Sequence, residues 1–280
     1  MPGPKELDPS SSPRAMVGSE LRHARESLKM TQPDLGAPLF VSGSFIGQLE
    51  LGTRRMQMEY AIKFDEILGT DGFFVRNCAA AMKSKYPDHF ADAAEAEAIA
   101  TAIKEYAPQL IPGLLQTEAY ARAVFHAYQP TATEDVIDQL VEARLERANL
   151  LSDPTTPLFW GILDEATLRR QVGDAAVMAG ALRHVADLMR RRRIIVQVLP
   201  FTSGAHAAMG GGLKLMSFSD PPPLVYLHGA GSGQLLDDPA SVAQYELAYD
   251  LLRANALPLR ESLPLIAQLA EDYDHEAQQQ

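Results

Sequence analysis

One cysteine, Cys78, is too few for an intrachain disulfide or a cysteine-based metal cluster, and it reads as a small buried apolar residue. Hydrophobic runs are short. None approaches the roughly 18 residues that a membrane-spanning helix needs, and the opening MPGPKELDPSSSP carries no apolar signal segment, so the reading is a cytoplasmic protein with no membrane partner. Catalytic signatures are missing as well: there is no HExxH, no GxSxG, no phosphate-binding loop, and no GxGxxG between a strand and a helix. No catalytic residue, metal or cofactor is assigned, and the expectation is that the protein is not an enzyme. Basic charge is also in short supply, with a net charge of −11. Nine Lys or Arg stand against ten Asp or Glu in residues 1 to 80, so nearly all of the acidic surplus lies beyond them. A near-neutral first segment can bind DNA if its basic groups share a face, whereas the acidic remainder is repelled by phosphate.

What is present divides the chain. Gly, Pro and Ser crowd residues 1–13, which read as a disordered arm. Over 14–74 the apolar positions Leu21, Ala24 and Leu28, then Leu35 and Leu39, Ile46 and Leu49, and Ala61, Phe64, Ile67 and Leu68 recur at helical spacing. Residues 75–156 read as a helical connector leading into a second domain, with helices over 75–85, 88–106 and 133–151. From 157 to 275 the pattern turns mixed. LFWGILD (158–164), RIIVQVLP (193–200), GLKLMSFSD (212–220) and LVYLHGA (224–230) are strand-like, and two helices close the chain. The expected fold class is α+β: an all-helical N-terminal domain, a helical connector, and a C-terminal mixed α/β domain with about four strands.

The stretch TQPDLGAPLFVSGSFIGQLELG (31–52) contains no Lys or Arg. Thr31 is a good N-cap and Asp34, three residues on, makes an approximate capping box; Ser42 is a second N-cap. Two short helices joined through LFVS suit a helix-turn-helix, and on spacing alone they suit any small helical bundle equally.

The run LRHARESLKMTQPDLGAPLFVSGSFIGQLELGTRR resembles the Xre-type, or Cro/repressor-type, helix-turn-helix over about 60 residues, at LRHAR, TQPDL, the VS step, Ile46 and LELG. The resemblance implies a structural ion pair between Arg25 and Glu50, and it places Gln32, Gly43, Ser44 and Gln48 toward the bases of the major groove. Gln pairs bidentately with adenine, so base reading by neutral groups is chemically sound. Arg22, Lys29, Arg54 and Arg55 on the flanks are then candidates for phosphate contact, with plain solvated charge as the alternative for each. Two departures stand out: Phe40 occupies a turn position where the family carries Gly, and Gly36 stands where it carries Ala.

Beyond this segment QLIPGLLQTEAYARAV, FWGILDEATLRRQVG, VQVLPFTSGAHA and VAQYELAYDLLRANAL resemble the C-terminal domain of WhiJ-like actinobacterial regulators. That resemblance implies a homodimeric transcriptional regulator on a double-stranded DNA operator, modulated by a ligand or by a small partner protein encoded nearby. An antitoxin-like interaction module with secondary DNA binding is the alternative. Tyr120, Phe125, Phe159, Trp160 and Phe201 are candidates to line a ligand or partner pocket, with plain core as the simpler reading. Asp164, Glu165, His206 and His228 are placed as active-site residues are, but lack triad or metal-ligand spacing. Asp164 and Glu165 more simply cap the helix that follows them.

Overall fold

The computed structural model describes residues 9, 13–52, 54–81, 88–220, 222–229 and 232–279. The arm expected over residues 1–13 lies almost wholly outside the described residues. Among those described there are twelve α-helices and six β-strands, an α+β protein as its patterning predicts. The chain forms two compact units, Met1–Ala96 and Glu97–Gln280, so the expected connector is not a body of its own. Its first part belongs to the helical unit and its remainder to the mixed one.

The first unit is built from α1 (Pro13–Ser27), α2 (Gln32–Gly36), α3 (Gly43–Glu50), α4 (Met58–Leu68), α5 (Phe73–Ala81) and the greater part of α6 (Asp88–Ile99). Its core collects Leu21, Leu35, Phe45, Ile46, Leu49, Phe64, Phe74 and Cys78, all buried. Cys78 is thus the small apolar core residue the sequence predicts. Gly36 is required where it stands, because an added Cβ would lie 2.6 Å from the carbonyl oxygen of Val41. The chain closes back on α2 at that point, with Val41 N–H donating to the Gly36 carbonyl at 3.2 Å.

The second unit is a six-stranded sheet in the order β3-β2-β1-β4-β5-β6, from β1 (Ala102–Ala107), β2 (Leu158–Asp164), β3 (Ile194–Leu199), β4 (Gly212–Ser217), β5 (Leu224–Gly229) and β6 (Ser232–Leu236). The strands β1, β2 and β3 run parallel, and β4, β5 and β6 add antiparallel pairings. Two strands exceed the expected four. AIKEYA, read as the end of a helix over 88–106, is instead β1 in the middle of the sheet; β6 is the edge strand on the side opposite β3. One face carries α11 (Pro239–Asn255), over a core of Tyr106, Ile162, Leu215, Val225, Tyr249 and Leu252. The helices α7 (Glu118–Tyr128) and α8 (Glu134–Ala148) pack through Ala121, Phe125, Ile137 and Val141. Next come α9 (Glu165–Arg169) and α10 (Ala175–Arg190), and the last helix, α12 (Leu259–Gln279), packs along α10 and β3 and runs beyond its expected end near residue 271.

A buried ionic cluster explains how a strand containing Lys104 and Glu105 sits at the centre of a sheet. Glu105 of β1 faces Lys214 of β4 across the antiparallel pairing, with Nζ 3.1 Å from Oε2. Lys214 also binds Glu97 of α6 at 2.5 Å, and Arg147 of α8 reaches Glu97 at 2.8 Å through Nε. All four residues are buried. Burial alone disfavours the Glu97 carboxylate, but attraction by Lys214 and Arg147 outweighs it, so its pKa is lowered. Gly113 makes room for this cluster, since a Cβ there would overlap Arg147 Nη2.

Replacing Lys214 by Met leaves two buried carboxylates facing each other, a loss of about 3–5 kcal/mol expected in urea unfolding of the protein. The pH response should also invert. The lowered pKa of Glu97 gives the wild type stability that is fully present above the ordinary carboxylate range and is lost as pH falls below that range, through the depressed pKa of the folded state. The Lys214→Met protein should gain stability over the same fall, because protonation relieves its repulsion. A monotonic acid loss in both proteins would refute this account of the cluster.

Candidate functional site

The geometry of the segment 31–52 follows from its caps. Thr31 Oγ1 accepts from Asp34 N–H at 3.3 Å and the Asp34 carboxylate accepts from Thr31 N–H at 2.8 Å, a complete capping box at the start of α2. Ser42 Oγ accepts from Phe45 N–H at 3.0 Å and starts α3. Between the helices Ala37–Leu39 form a single 3₁₀ turn and Phe40 adopts φ 55°. The backbone at Phe40 therefore keeps the left-handed conformation that glycine would supply.

Arg25 and Glu50 form the ion pair the resemblance implies. Arg25 Nε bonds Glu50 Oε1, and Nη2 reaches Oε2 at 3.1 Å. Arg25 is 7% exposed and Glu50 2%. Two further bonds complete the knot: Arg25 Nη1 donates to the Met30 carbonyl at 2.7 Å, and Gln32 Nε2 donates to Glu50 Oε2 at 2.9 Å. The end of α1, the start of α2 and the end of α3 are thereby fixed to one another.

The residues expected to face bases do not form one exposed row. Gln32 is half-buried, tied to Glu50, with its carboxamide over Gly47. Gly43 is half-buried against the Pro33 ring. Ser44 is half-buried and its Oγ is enclosed, without a hydrogen bond among the described residues. Gln48 corrects the expectation: it is 3% exposed and its Oε1 accepts from Arg54 Nη1 at 3.3 Å, so it offers no carboxamide to a base here.

Of the four basic candidates, Lys29 is exposed and Arg22 is half-buried, held by Glu26 at 3.0 Å. Arg54 lies over the Phe45 ring, 4.3 Å from its centroid. Arg55 is the second correction. It is buried, with Nε 4.0 Å from Asp92 of α6, while Arg14 pairs with Glu95 one turn further along the same helix. Burial raises the Asp92 pKa, against the pull of Arg54, Arg55 and Arg14. Arg55 faces inward because it answers that carboxylate.

In the second unit the five aromatic candidates do not meet in one cavity. Phe159 and Trp160 are neighbours on β2 and so point to opposite sheet faces. Phe159 is core; Trp160 Nε1 donates to Gln197 Oε1 at 3.0 Å with Arg253 stacked on its ring. Tyr120 is fully buried and its hydroxyl accepts from Ile111 N–H, Phe125 lies under the Arg144 guanidinium, and Phe201 is exposed. A shallow groove of about 460 Å³ lies elsewhere, between α7 and α8, with Val141 and Leu145 beside Glu142, Glu146 and Arg122, which pairs with Asp138 at 2.6 Å and with Glu118 at 3.6 Å.

Asp164 and His206, the residues a hydrolase reading would use, are brought together by a residue the sequence did not single out. Tyr106 Oη donates to Asp164 Oδ2 at 3.0 Å and lies 3.2 Å from His206 Nε2. Ala208 N–H donates to His206 Nδ1 at 3.3 Å, which assigns the ring proton to Nε2 and directs it at Tyr106. Asp164 Oδ1 caps α9 through Ala166 N–H, as expected, while Glu165 accepts from Phe201 N–H and pairs with Arg169. Burial and the Asp164 charge raise the Tyr106 pKa, so the phenol stays protonated and the chain holds loops together at the carboxyl ends of β1 and β2. Arg193, last of four consecutive arginines at 190–193, is a similar clamp: it donates to the carbonyls of Leu150, Leu151, Thr156 and Pro157.

These features define a two-unit chain: a helical unit holding a capped helix pair, and a mixed-sheet unit closed by buried polar clusters. Residues 90–268 match the family described as a domain of unknown function, DUF5753, and the chain belongs to that family. Neither the comparison with curated proteins nor that with solved structures finds a match. Among the described residues no helix is long and apolar enough to cross a membrane, and no group of His, Cys, Asp or Glu has the arrangement of a metal site.

Removing Arg25 leaves Glu50 buried without its counter-charge. Arg25→Met should cost about 3–5 kcal/mol in chemical denaturation, and adding Glu50→Gln to it should recover a substantial part of that loss. Additive losses would show that the two side chains act independently.

Proposed function

We propose that the protein is a sequence-specific, DNA-binding transcriptional regulator that acts as a homodimer, with operator binding modulated through residues 97–280 by a small partner protein or ligand. The observation that carries this reading is the Arg25–Glu50–Gln32 knot. It joins two short capped helices at a fixed relation, which is what presenting one helix end to a groove demands. Gln32 and the amino end of α3 at Ser42 and Gly43 are the base-facing elements. Backbone N–H groups at that end favour phosphate, and Lys29, Arg22 and Arg54 supply the positive charge. The absence of Lys and Arg from 31–52 suits this division, with neutral groups at the bases and charge on the flanks. Two copies on two half-sites offset the modest affinity of so small a reading surface. The acidic surplus beyond residue 80 restricts DNA contact to the helical unit.

The second reading, an antitoxin-like interaction module with secondary DNA binding, draws on the groove between α7 and α8. Its lining around Val141 and Leu145, four carboxylates against the single cation Arg122, is acidic on balance and has the character of a surface for a basic, amphipathic segment.

Fluorescence anisotropy against the DNA upstream of its own gene and a scrambled duplex, at two salt concentrations, separates the readings. Wild type should prefer its own DNA, and Gln32→Ala should lose at least about fivefold of that preference. Lys29→Gln should weaken both duplexes alike and lower the salt slope by about one. No preference in the wild type, together with a small protein co-purifying at fixed stoichiometry, would establish the second reading instead.

A further inference from the structure

Phe40 carries two costs without an intramolecular return. Its φ of 55° lies in the left-handed region that disfavours any residue with a Cβ, and its side chain is 99% exposed. The conformation is imposed by its surroundings: Phe40 N–H donates to the Ala37 carbonyl, and Val41 N–H folds back on Gly36. Glycine would satisfy this turn with no strain and no exposed ring. Other positions with positive φ and a side chain, Lys29, Asp71 and Arg192, carry polar groups that water solvates. Phe40 alone among them places an aromatic ring in solvent, two residues before Ser42, the N-cap of α3.

We infer that Phe40 is a specificity-determining residue that packs on the 5-methyl group of a thymine at the edge of the site reached by α3. The inference rests on the DNA reading above and names a base contact within it. Three observations favour this occupant. The ring is apolar and adjoins a helix end whose first N–H groups lack intrahelical acceptors, so its partner offers an apolar group beside an anion. A thymidine nucleotide in the major groove carries both, the methyl at the groove edge and the phosphate behind it. The nearby polar base readers expected of α3 are enclosed, Gln48 entirely and Ser44 at its hydroxyl, which leaves the turn to supply the side-chain contact that α3 does not. The left-handed backbone at Phe40 turns the chain sharply just before the helix, so the ring projects from the turn and away from the core of the helical unit.

The test uses the full-length protein and a randomised 20-base-pair duplex library taken through rounds of binding and amplification. On the enriched duplex each thymine is replaced in turn by deoxyuridine, which removes only the methyl. One replacement should weaken wild-type binding by about fourfold, the value of one buried methyl group, and leave Phe40→Gly unaffected. Phe40→Leu, which keeps an apolar contact, should retain sensitivity at the same position. The Tm of Phe40→Gly should hold or rise, because glycine relieves the backbone, and this separates lost contact from lost folding. If Phe40→Gly shows the same deoxyuridine sensitivity, or if no position is sensitive in the wild type, the thymine assignment is overturned although DNA binding stands. A uniform loss on every duplex without deoxyuridine sensitivity overturns it too, placing the ring on the backbone or on a protein. If no sequence is enriched, the DNA reading fails and this inference with it.

Discussion

The constraint on which both units depend is that charge withdrawn from water must be answered inside the chain. A carboxylate or guanidinium at a few percent exposure has lost its hydration, and only geometry close enough for hydrogen bonding returns that loss. In the mixed unit Lys214 bridges Glu97 and Glu105 while Arg147 takes the other oxygen of Glu97. Four elements of different type, α6, β1, β4 and α8, are drawn to one point by that requirement. In the helical unit Arg25 and Glu50 do the same for α1 and α3, with Gln32 of α2 on the remaining lone pair. Neither cluster adds much net stability over a well-packed apolar alternative. Each instead makes wrong arrangements costly, since any shift that parts the partners strands a buried charge.

This explains which parts of the fold are legible in the sequence. The strands β2, β3, β4 and β5 announce themselves because their Val, Ile, Leu and aromatic residues sit in runs bounded by Pro and Gly. The strand β1 does not. DAAEAEAIATAIKEYA is rich in helix formers, and its central Lys-Glu pair argues against a buried strand. What overrides propensity is Lys214, more than a hundred residues away. The edge strand β6 is short and begins Ser-Gly, so it has almost no local signal. The capping box at Thr31, the cap at Ser42 and the ion pair of Arg25 with Glu50 were readable because they follow from spacing or family pattern.

Exposure at the candidate site was far less legible, for a related reason. Arg54 and Arg55 are adjacent and chemically identical, in a segment with no helical or strand period to assign their directions. Their environments diverge because Asp92 draws one inward while the Phe45 ring holds the other across it. Gln48 occupies a polar position on a short helix, and nothing nearby in sequence indicates that Arg54 reaches back to its carboxamide. The separation of Phe159 from Trp160, by contrast, was available from the start. Adjacent residues on a strand face opposite ways, so the two could never line one pocket.

The two units also differ in how their polar groups are used, and this bears on function. The Tyr106–Asp164–His206 chain has the residue types of a catalytic constellation, yet each member already has a partner: His206 is fixed by Ala208, Tyr106 by Asp164, and Asp164 by the end of α9. These bonds tie together the loops at the carboxyl ends of β1 and β2. Arg193, Gln116 and Arg144 are likewise committed to carbonyls, to each other or to an aromatic face. On the surface, Arg122 pairs with Glu118 and Asp138 along α7 and α8, and the hydroxyl of the exposed Ser42 caps the amino end of α3. Buried polar groups in both units are therefore spent on fixing elements to one another, and the acidic lining between α7 and α8 differs in chemistry from the neutral amino end of α3.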